Sequence, residues 1–583
     1  MSNPLALPPG WPALPVAEIE RRLTAPGAPF ELEAIEVGGR PMRVWKNGPK
    51  TLVEVFLAAR AHGARTFLVY EDERSSYAAF AKAAIVLAHE LIRRGVRRGD
   101  RVAIVMRNLP EWPVACFAAL LTGAIAVPLN AWWTGDELEH GLGDSGASVA
   151  IVDAERLERM RAHLGRCPKL RHVLVTRAGD GALDVPAPIE AARLTDIFGP
   201  TNVWGGLAEL ALPAVAIAPE DDATILFTSG TTGKPKGALA SHRGGTCNVL
   251  GAGFVQARGF LRRGEAVPAP DPAVQKSVLL AVPFFHTTGS HAIMFPAMAG
   301  GAKIVLMRRW DAETGMQLIE RERITSAGGV PTIAWQIIEH PARTNYDLSS
   351  LESVSYGGAP AASELVRRIK TEFPKSAPAI GWGMTETSGG VASHSAEDYI
   401  NRPDSSGPCL PVCELAVIDD DWQSLATGTV GELAVRGQNV IAGYWRQPEV
   451  NGQLFRDGWF RTGDLARLDA EGFLYIVDRK KDMLIRGGEN IYCIEVEDAL
   501  YKHSAVMDAA VLGIAHKTLG EEPGAIVTLK PGASANEAEL RAFVAERLAA
   551  YKVPVRILFR HEPLPRNANG KITKRELRVL FGG

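Results

Sequence analysis

The sequence predicts an α/β fold with mostly parallel strands, followed by a small α+β domain, and three observations point there. Apolar runs of strand length alternate with helical stretches along most of the chain. Many of those runs end in small or turn-forming residues, as strands do at the ligand-binding edge of an open sheet. Near residue 465 the texture changes to a hairpin and then a charged linker.

Taken in order, residues 76 to 95 ("SYAAFAKAAIVLAHELIRRG") form an amphipathic helix stopped by Gly95, and "RVAIVM" (101 to 106) follows as a buried strand. "GAIAVPLN", "ASVAIVD" and "HVLVT" continue the alternation. The segment "ACFAALLTGAIAVPLNAWW" is apolar enough to suggest a membrane span, but Thr122, Gly123, Pro128 and Asn130 make it helix, turn and strand. Residues 179 to 219 and 262 to 275, rich in Pro, Ala, Gly and Asp, read as long surface connections. "KSVLLAVPFF", "AKIVLM", "SAGGVP" and "LESVSYGGAP" then resume the strand-and-loop pattern. "LARLDAEGFLYIVD" is a hairpin turning at Asp469 to Gly472, and "RKKD" puts four charges in a row. The division is therefore placed between 1–477 and 478–583. The second part has strands "DAAVLGIA" and "GAIVTLK", a helix starting with a capping box at Ser534 to Glu537, and a last helix starting with another at Thr573 to Glu576.

With 583 residues, 46% hydrophobic and 22% charged, the chain can bury a large core divided over two or more domains. Its 64 basic and 66 acidic residues leave a net charge of -2, so no overall field favours nucleic acid or an anionic membrane, and any anion site must be local. Six cysteines are too few for a disulfide framework, and Cys409 and Cys413 lack a second pair or nearby histidines for zinc. They read as reduced thiols of a cytoplasmic protein. The opening "MSNPLALPPGWPALP" has no basic region and is broken by prolines, unlike a signal peptide.

Local anion chemistry is visible in "TSGTTGKPKG", Thr228 to Gly237. Its glycines let backbone N–H groups approach a phosphate, its hydroxyls donate, and lysine adds a mobile charge. The spacing is not that of the Walker loop. By themselves these residues equally describe a solvent-facing turn. Other stretches carry polar groups that a purely structural chain does not need. "GWGMTET" sets Trp382 ahead of Thr385 and Glu386: a ring able to stack on a base, and a carboxylate able to hold Mg²⁺. "WFRTGDLA" offers Asp464 to vicinal hydroxyls, though such an Asp is commonly turn chemistry. "DRKKDMLIRGGENIY" supplies Arg479, Lys481, Gly487 and Gly488, and "RNANGK" projects Lys571 from an Asn-Gly turn.

In order, "TSGTTGKPKG", "VPFFHTTG", "YGGAP", "GWGMTET", "GWFRTGDLA", "DRKKDMLIRGGENIYCIEVE" and "NGKITKREL" make the chain, from about residue 50 to 577, resemble the AMP-forming acyl-CoA synthetases of the adenylate-forming superfamily. The resemblance implies a large N-terminal domain of layered α/β subdomains with a distorted β-barrel, and a small mobile C-terminal domain. It implies that a carboxylate is joined to the α-phosphate of ATP with loss of pyrophosphate, and that a thiol then displaces AMP. Thr228, Ser229, Gly230, Thr231, Thr232, Gly233 and Lys236 would hold the β- and γ-phosphates. Gly357, Gly358, Ala359 and Pro360 would line the adenine site, with Trp382 stacked on the base where many relatives carry Tyr, beside Gly383 and Met384. Thr385 would touch the α-phosphate, Glu386 would hold Mg²⁺, and Asp464 and Arg479 would bind the ribose. Lys571 would bridge carboxylate and α-phosphate. Lys481 would be the hinge of a rotating small domain, and Gly487 and Gly488 would flank the pantetheine tunnel of coenzyme A.

His286 stands where amino-acid-activating relatives tend to have aspartate, which argues against an amino-acid substrate, and a packed core histidine fits the position equally. The segments expected around the acyl group, "GGVPTIAWQ", "YGGAPAA" and "TSGGVASHS", contain no Lys or Arg. A hydrophobic monocarboxylate fits and a dicarboxylate does not, with medium- or long-chain fatty acids placed ahead of aryl or arylalkanoic acids. The expected partners are that acid, ATP and CoA, with no nucleic acid and no transmembrane segment, in a monomer or homodimer. The alternatives are transfer to a carrier protein, luciferase-like oxidation, and a nucleotide-binding module without catalysis.

Overall fold

A computed structural model describes residues 7–228, 234–358, 363–487, 489–567 and 570–581. Among the described residues the strands form two eight-stranded sheets, a six-stranded sheet, a five-stranded sheet and a two-stranded hairpin. In the first large sheet, strands Asp222–Thr228, Ile125–Pro128, Arg101–Val105, Val149–Asp153, His172–Thr176 and Glu190–Arg193 run parallel. Strands Lys236–Ser241 and Gly443–Tyr444 extend it antiparallel on the other side. In the second, Ala377–Met384, Ser353–Gly357, Ser326–Gly329, Ser277–Leu280, Lys303–Leu306 and Thr66–Tyr70 are parallel, and antiparallel strands Gly389–Ser395 and Glu73–Ser76 close its ends. Parallel strands covered on both faces need continuous apolar runs, and all five residues of Val149–Asp153 are buried.

One core joins the two sheets. Helix Glu111–Leu121 is buried on every side, which explains why its sequence is apolar all round without crossing a membrane. Among the described residues no helix is long and apolar enough to span one. Trp112 stacks on Phe284 with ring centroids 4.9 Å apart, tying that helix to the loop that carries His286. Helix Tyr77–Arg93 starts where Ser76 accepts the Ala79 N–H, and the chain turns at Gly95 with φ +87°. Residues 179 to 219 are more than a connection: strand Glu190–Arg193, helix Leu194–Phe198 and the turn Thr201–Gly206 lie there, and Phe198 and Trp204 enter the shared core.

The antiparallel sheet Gly407–Pro408, Phe473–Arg479, Trp459–Leu468, Gly431–Gly437 and Cys413–Ile418, with Phe455–Arg456 at its side, curls into a half-barrel. Its hairpin turns at Asp469 to Gly472 as expected: Asp469 accepts N–H bonds from Glu471 and Phe473. The N-terminal helix Val16–Leu23 and hairpin Leu32–Trp45 pack on helix His242–Arg262 and this sheet. There Arg262, 1% exposed, binds Asp398 at 2.8 Å and Glu471 at 2.7 Å. Removing one partner of a buried pair strands a charge, at about 3–5 kcal/mol. Asp398→Ala is expected at the low end of that range, about 3 kcal/mol, because Glu471 remains; urea unfolding followed by fluorescence should show the lower midpoint.

The small domain holds sheet strands Leu484–Arg486, Glu489–Ile491, Val506–His516, Gly520–Leu529 and Arg556–Phe559 around its own core. Neither expected capping box forms where it was placed. Helix Glu537–Ala545 is capped by Asn536 with Glu539, two residues later, because that pair also satisfies the box spacing. Helix Lys574–Arg578 has Thr573 as its N-cap residue without a side-chain cap bond. All six cysteines are free thiols.

Candidate active site

Trp382, Glu386, Asp464, Arg479, His286 and Lys571 come together where the carboxyl edge of the second sheet meets the half-barrel and the small domain. Strand Ala377–Met384 carries Trp382, Gly383 and Met384 to that edge, and a turn at Thr385–Thr387 presents Thr385 and Glu386. Gly383 is required by close approach: a Cβ there would lie 2.0 Å from the Gly389 carbonyl oxygen. Gly357 ends the neighbouring strand beside Gly381, and Gly358 follows with φ +73°. Ala359 and Pro360 lie outside the described residues.

Asp464 and Arg479 face each other across the paired strands of the half-barrel. Arg479 Nε is 2.6 Å from Asp464 Oδ1, and the Trp382 indole N–H donates to Asp464 Oδ2 at 3.0 Å. The carboxylate is 4% exposed and spans an arginine and a tryptophan from two sheets. Trp382 thus does more than offer a ring: its polar edge orients Asp464 while its body packs on the half-barrel core.

Thr228 and Lys236 close the hairpin around the glycine-rich loop, whose Ser229, Gly230, Thr231, Thr232 and Gly233 lie outside the described residues. Lys236 Nζ lies 5.8 Å from the centroid of the Tyr444 ring. Glu386 is buried, and the Tyr444 hydroxyl donates to its Oε1 at 2.6 Å. Among the described residues nothing donates to Oε2. A single carboxylate with one free oxygen fits Mg²⁺, which is held by one or two carboxylates plus substrate phosphates and water. Among the described residues, only Asp136, Glu139 and His163 come close enough for an all-protein cation site, and Arg166 already sits 2.7 Å from Glu139.

Lys571 arrives from the small domain. Asn567 holds its turn, donating its own N–H to the Lys571 carbonyl at 2.9 Å and accepting the Lys571 N–H on its side chain at 3.1 Å. Gly570 has φ +72°, and a Cβ there would meet Val330 Cγ2 at 2.9 Å, so the turn lies hard against the second sheet's edge. Among the described residues no carboxylate comes within ion-pair distance of the amine. Burial and Arg479 push its pKa down to about 8, against the opposing pull of Asp464 and Glu386. His286 is held neutral, its pKa driven down to about 3 by burial and then by Lys571. Among the described residues its buried Nε2 has no hydrogen-bond partner.

Lys481 is exposed and forms no ion pair among the described residues, whereas its neighbour Lys480 is tied to Asp420 at 2.7 Å and Glu432 at 3.1 Å. Gly487 turns within the small domain, its N–H donating to the Leu519 carbonyl at 2.8 Å; Gly488 lies outside the described residues. Asn248 and Asp478 are positioning residues that the sequence does not mark. Asn248 clamps the turn after Glu386, donating to the Ser388 carbonyl at 2.8 Å and accepting the Gly390 N–H at 3.0 Å. Asp478 accepts N–H bonds from Arg479 at 2.7 Å and from Cys493, at the start of helix Cys493–Tyr501.

Comparison with known proteins shows the family. The AMP-binding enzyme family matches residues 55–445, and the AMP-binding enzyme C-terminal domain matches 495–571. A 3-[(3aS,4S,7aS)-7a-methyl-1,5-dioxo-octahydro-1H-inden-4-yl]propanoyl:CoA ligase of Mycobacterium tuberculosis is 36% identical, over 88% of this chain and 96% of its own length. A feruloyl-CoA synthase of an Amycolatopsis species is 34% identical, over 87% and 94%. The structure of o-succinylbenzoate CoA synthetase from Bacillus subtilis, in complex with its acyl-adenylate intermediate, superposes with a TM-score of 0.72 at 29% identity, covering 90% of this chain and 97% of that one. The chain belongs to the AMP-binding enzyme family and has the catalytic fold of an ATP-dependent, AMP-forming acid–CoA ligase.

Proposed function

We propose that this protein adenylates a hydrophobic monocarboxylic acid and transfers the acyl group to CoA, a medium- or long-chain fatty acid first and an aryl or arylalkanoic acid second. The observation that carries the reading is the meeting of Lys571, Glu386, Asp464, Arg479 and His286 from separate elements at one sheet edge. In this reading an oxygen of the substrate carboxylate attacks the α-phosphorus of ATP, and the bond to the pyrophosphate oxygen breaks. The amine of Lys571 lies between the two anions and offsets their repulsion as they are forced together. Thr385 orients the α-phosphate, Lys236 and the glycine-rich loop hold the departing pyrophosphate, and Asp464 with Arg479 fixes the ribose while Trp382 and the Gly357–Gly358 strand end bound the base. Glu386 would hold Mg²⁺, which supplies charge neutralisation on pyrophosphate when bound.

The thioester step needs a different face of the small domain. The division at 477/478, the unpaired Lys481 as hinge, and Gly487 with Gly488 beside the pantetheine arm form one proposal: Lys571 withdraws and the CoA thiolate attacks the acyl carbonyl, releasing AMP. A neutral His286 beside Lys571 suits an acyl entrance for an uncharged chain better than a site for an ammonium group. The aryl reading draws on the feruloyl-CoA synthase relative. The free thiols suit a reducing, cytoplasmic setting.

The test is pyrophosphate release from ATP and Mg²⁺ over fatty, aryl and arylalkanoic acids, with and without CoA. Sustained release only with CoA, strongest for fatty acids, is the expected result. Release indifferent to CoA would shift the assignment to a carrier-protein or oxidative relative, and no release with any acid would leave only nucleotide binding.

A further inference from the structure

We infer that Tyr444 is a positioning residue that holds Glu386 in register with the phosphate-loop strand, so that its second carboxylate oxygen is left for the Mg²⁺ it would hold; the inference rests on the function proposed above.

The segment Ile441 to Tyr444 grips Glu386 twice. The Ile441 N–H donates to the Glu386 carbonyl at 3.0 Å, and the Tyr444 hydroxyl donates to Oε1 at 2.6 Å. The same segment is an edge strand on Lys236–Ser241, with Ala238 opposite Tyr444 and Leu239 opposite Gly443. The Trp445 N–H to Gly237 carbonyl bond, 2.7 Å, continues that pairing towards Lys236. Asn451 fixes Tyr444 from behind, accepting its N–H at 2.7 Å and donating to its carbonyl at 3.0 Å. The glycine-rich loop's exit strand, Tyr444 and Glu386 therefore form one hydrogen-bonded frame.

The chemistry of the frame is specific. A phenol donates one hydrogen bond, so it occupies one carboxylate oxygen and leaves the other to a hard cation. Without it, a glutamate side chain has three torsions to settle and ordering it costs entropy each time a cation binds. Partners that orient a metal-binding carboxylate are typically worth about 10–100-fold in metal affinity or activity. The Tyr444 ring has a second contact: Lys236 Nζ, at 5.8 Å from its centroid, is within cation–π reach. The ring thus also restrains the cation that would bind the leaving group.

The experiment titrates Mn²⁺, as a paramagnetic substitute for Mg²⁺, into the full-length protein with the α,β-methylene analogue of ATP, whose α–β linkage cannot be cleaved, and follows free Mn²⁺ by electron paramagnetic resonance. Tyr444→Phe keeps the ring and removes only the hydroxyl. It is expected to weaken Mn²⁺ binding by about 10-fold or more. The Mg²⁺ concentration for half-maximal pyrophosphate release should rise by a similar factor, with most of kcat recovered at saturating Mg²⁺. A residue that merely supported the fold would lower kcat at every Mg²⁺ concentration. Glu386→Gln and the double variant Glu386→Gln/Tyr444→Phe should then bind Mn²⁺ equally weakly, since the hydroxyl acts through the carboxylate. Tyr444→Leu should additionally weaken pyrophosphate inhibition, through Lys236. Mn²⁺ binding within twofold of wild type in Tyr444→Phe, or effects of the two single changes that multiply in the double variant, would overturn the inference alone. Failure of the unaltered protein to bind the analogue with Mn²⁺ would overturn the functional reading and this inference with it.

Discussion

Lys571→Ala lowers adenylate formation by about 10²–10³-fold, the loss expected when one preorganised charge is removed from a developing anionic transition state. Thioester formation from supplied acyl-AMP and CoA should proceed near the wild-type rate, because that step begins after the carboxylate and the α-phosphate have been joined. Rapid quench of each half-reaction separates them, and equal losses in both would refute the assignment. The lysine also predicts a pH dependence. Its pKa is about 8 without nucleotide, so the active ammonium is present below that pH and is lost as the pH rises through it. The profile of kcat/KM for ATP reports the free enzyme and should fall on the alkaline side near pH 8. Bound triphosphate stabilises the ammonium, so the corresponding limb of kcat lies at higher pH. Lys571→Arg should abolish both limbs, since a guanidinium stays charged throughout. Its rate should lie between wild type and Lys571→Ala, because a planar fork does not reproduce the position of a compact ammonium.

Such a prediction was within reach of the sequence because Lys571 sits in the contiguous motif "NGKITKREL", through which the resemblance assigns its role; by itself it reads as a surface lysine. "TSGTTGKPKG" and "GWGMTET" are likewise contiguous, so each can be read without knowing how distant parts of the chain pack. Tyr444 was not legible. In "AGYW" it reads as an ordinary edge-strand aromatic, and its partner Glu386 lies 58 positions away. Asn248 lies inside a helix 140 positions from the Ser388 carbonyl it holds, where a polar residue by itself says nothing. The strand at Glu190–Arg193 was missed for a different reason. As an edge strand it is half exposed and carries no apolar run, so its composition resembles the loop around it. Ser534 and Asn536 both precede a Glu by three residues; the sequence offers two start sites, and the sheet-side packing of Leu540 and Val544 favours the later one. Periodicity and turn chemistry therefore recover the layers, whereas long-range hydrogen bonds between strands and helices decide how the site is held.

Asp464 carries the second large effect, because it joins those two kinds of information. Its place after a Thr-Gly turn is local, but its work depends on Arg479 at 2.6 Å and the Trp382 N–H at 3.0 Å. A carboxylate offers about four acceptor positions; the Trp382 N–H takes one on Oδ2 and Arg479 forms an ion pair at Oδ1, so in the proposed reading at least two remain for vicinal hydroxyls. In that reading Asp464→Ala would remove both ribose bonds, and it frees Arg479 and Trp382 from their common anchor. Hydrogen bonds to a charged group contribute about 1.5–3 kcal/mol each, so KM for ATP should rise by about 10²-fold or more. KM for the acid should change far less, since Asp464 lies on the nucleotide side. Asp464→Asn tests the charge separately: an amide has one acceptor oxygen and cannot serve both donors, so it should approach the alanine variant despite its matching shape. Trp382→Phe keeps an aromatic face for the adenine and removes only the indole N–H. A rise of about 10-fold or less in KM for ATP is expected there, the worth of one bond to a carboxylate. An ATP KM within threefold of wild type in Asp464→Ala would show that the ribose is held elsewhere and would reduce the Trp382–Asp464–Arg479 chain to a brace between the second sheet and the half-barrel.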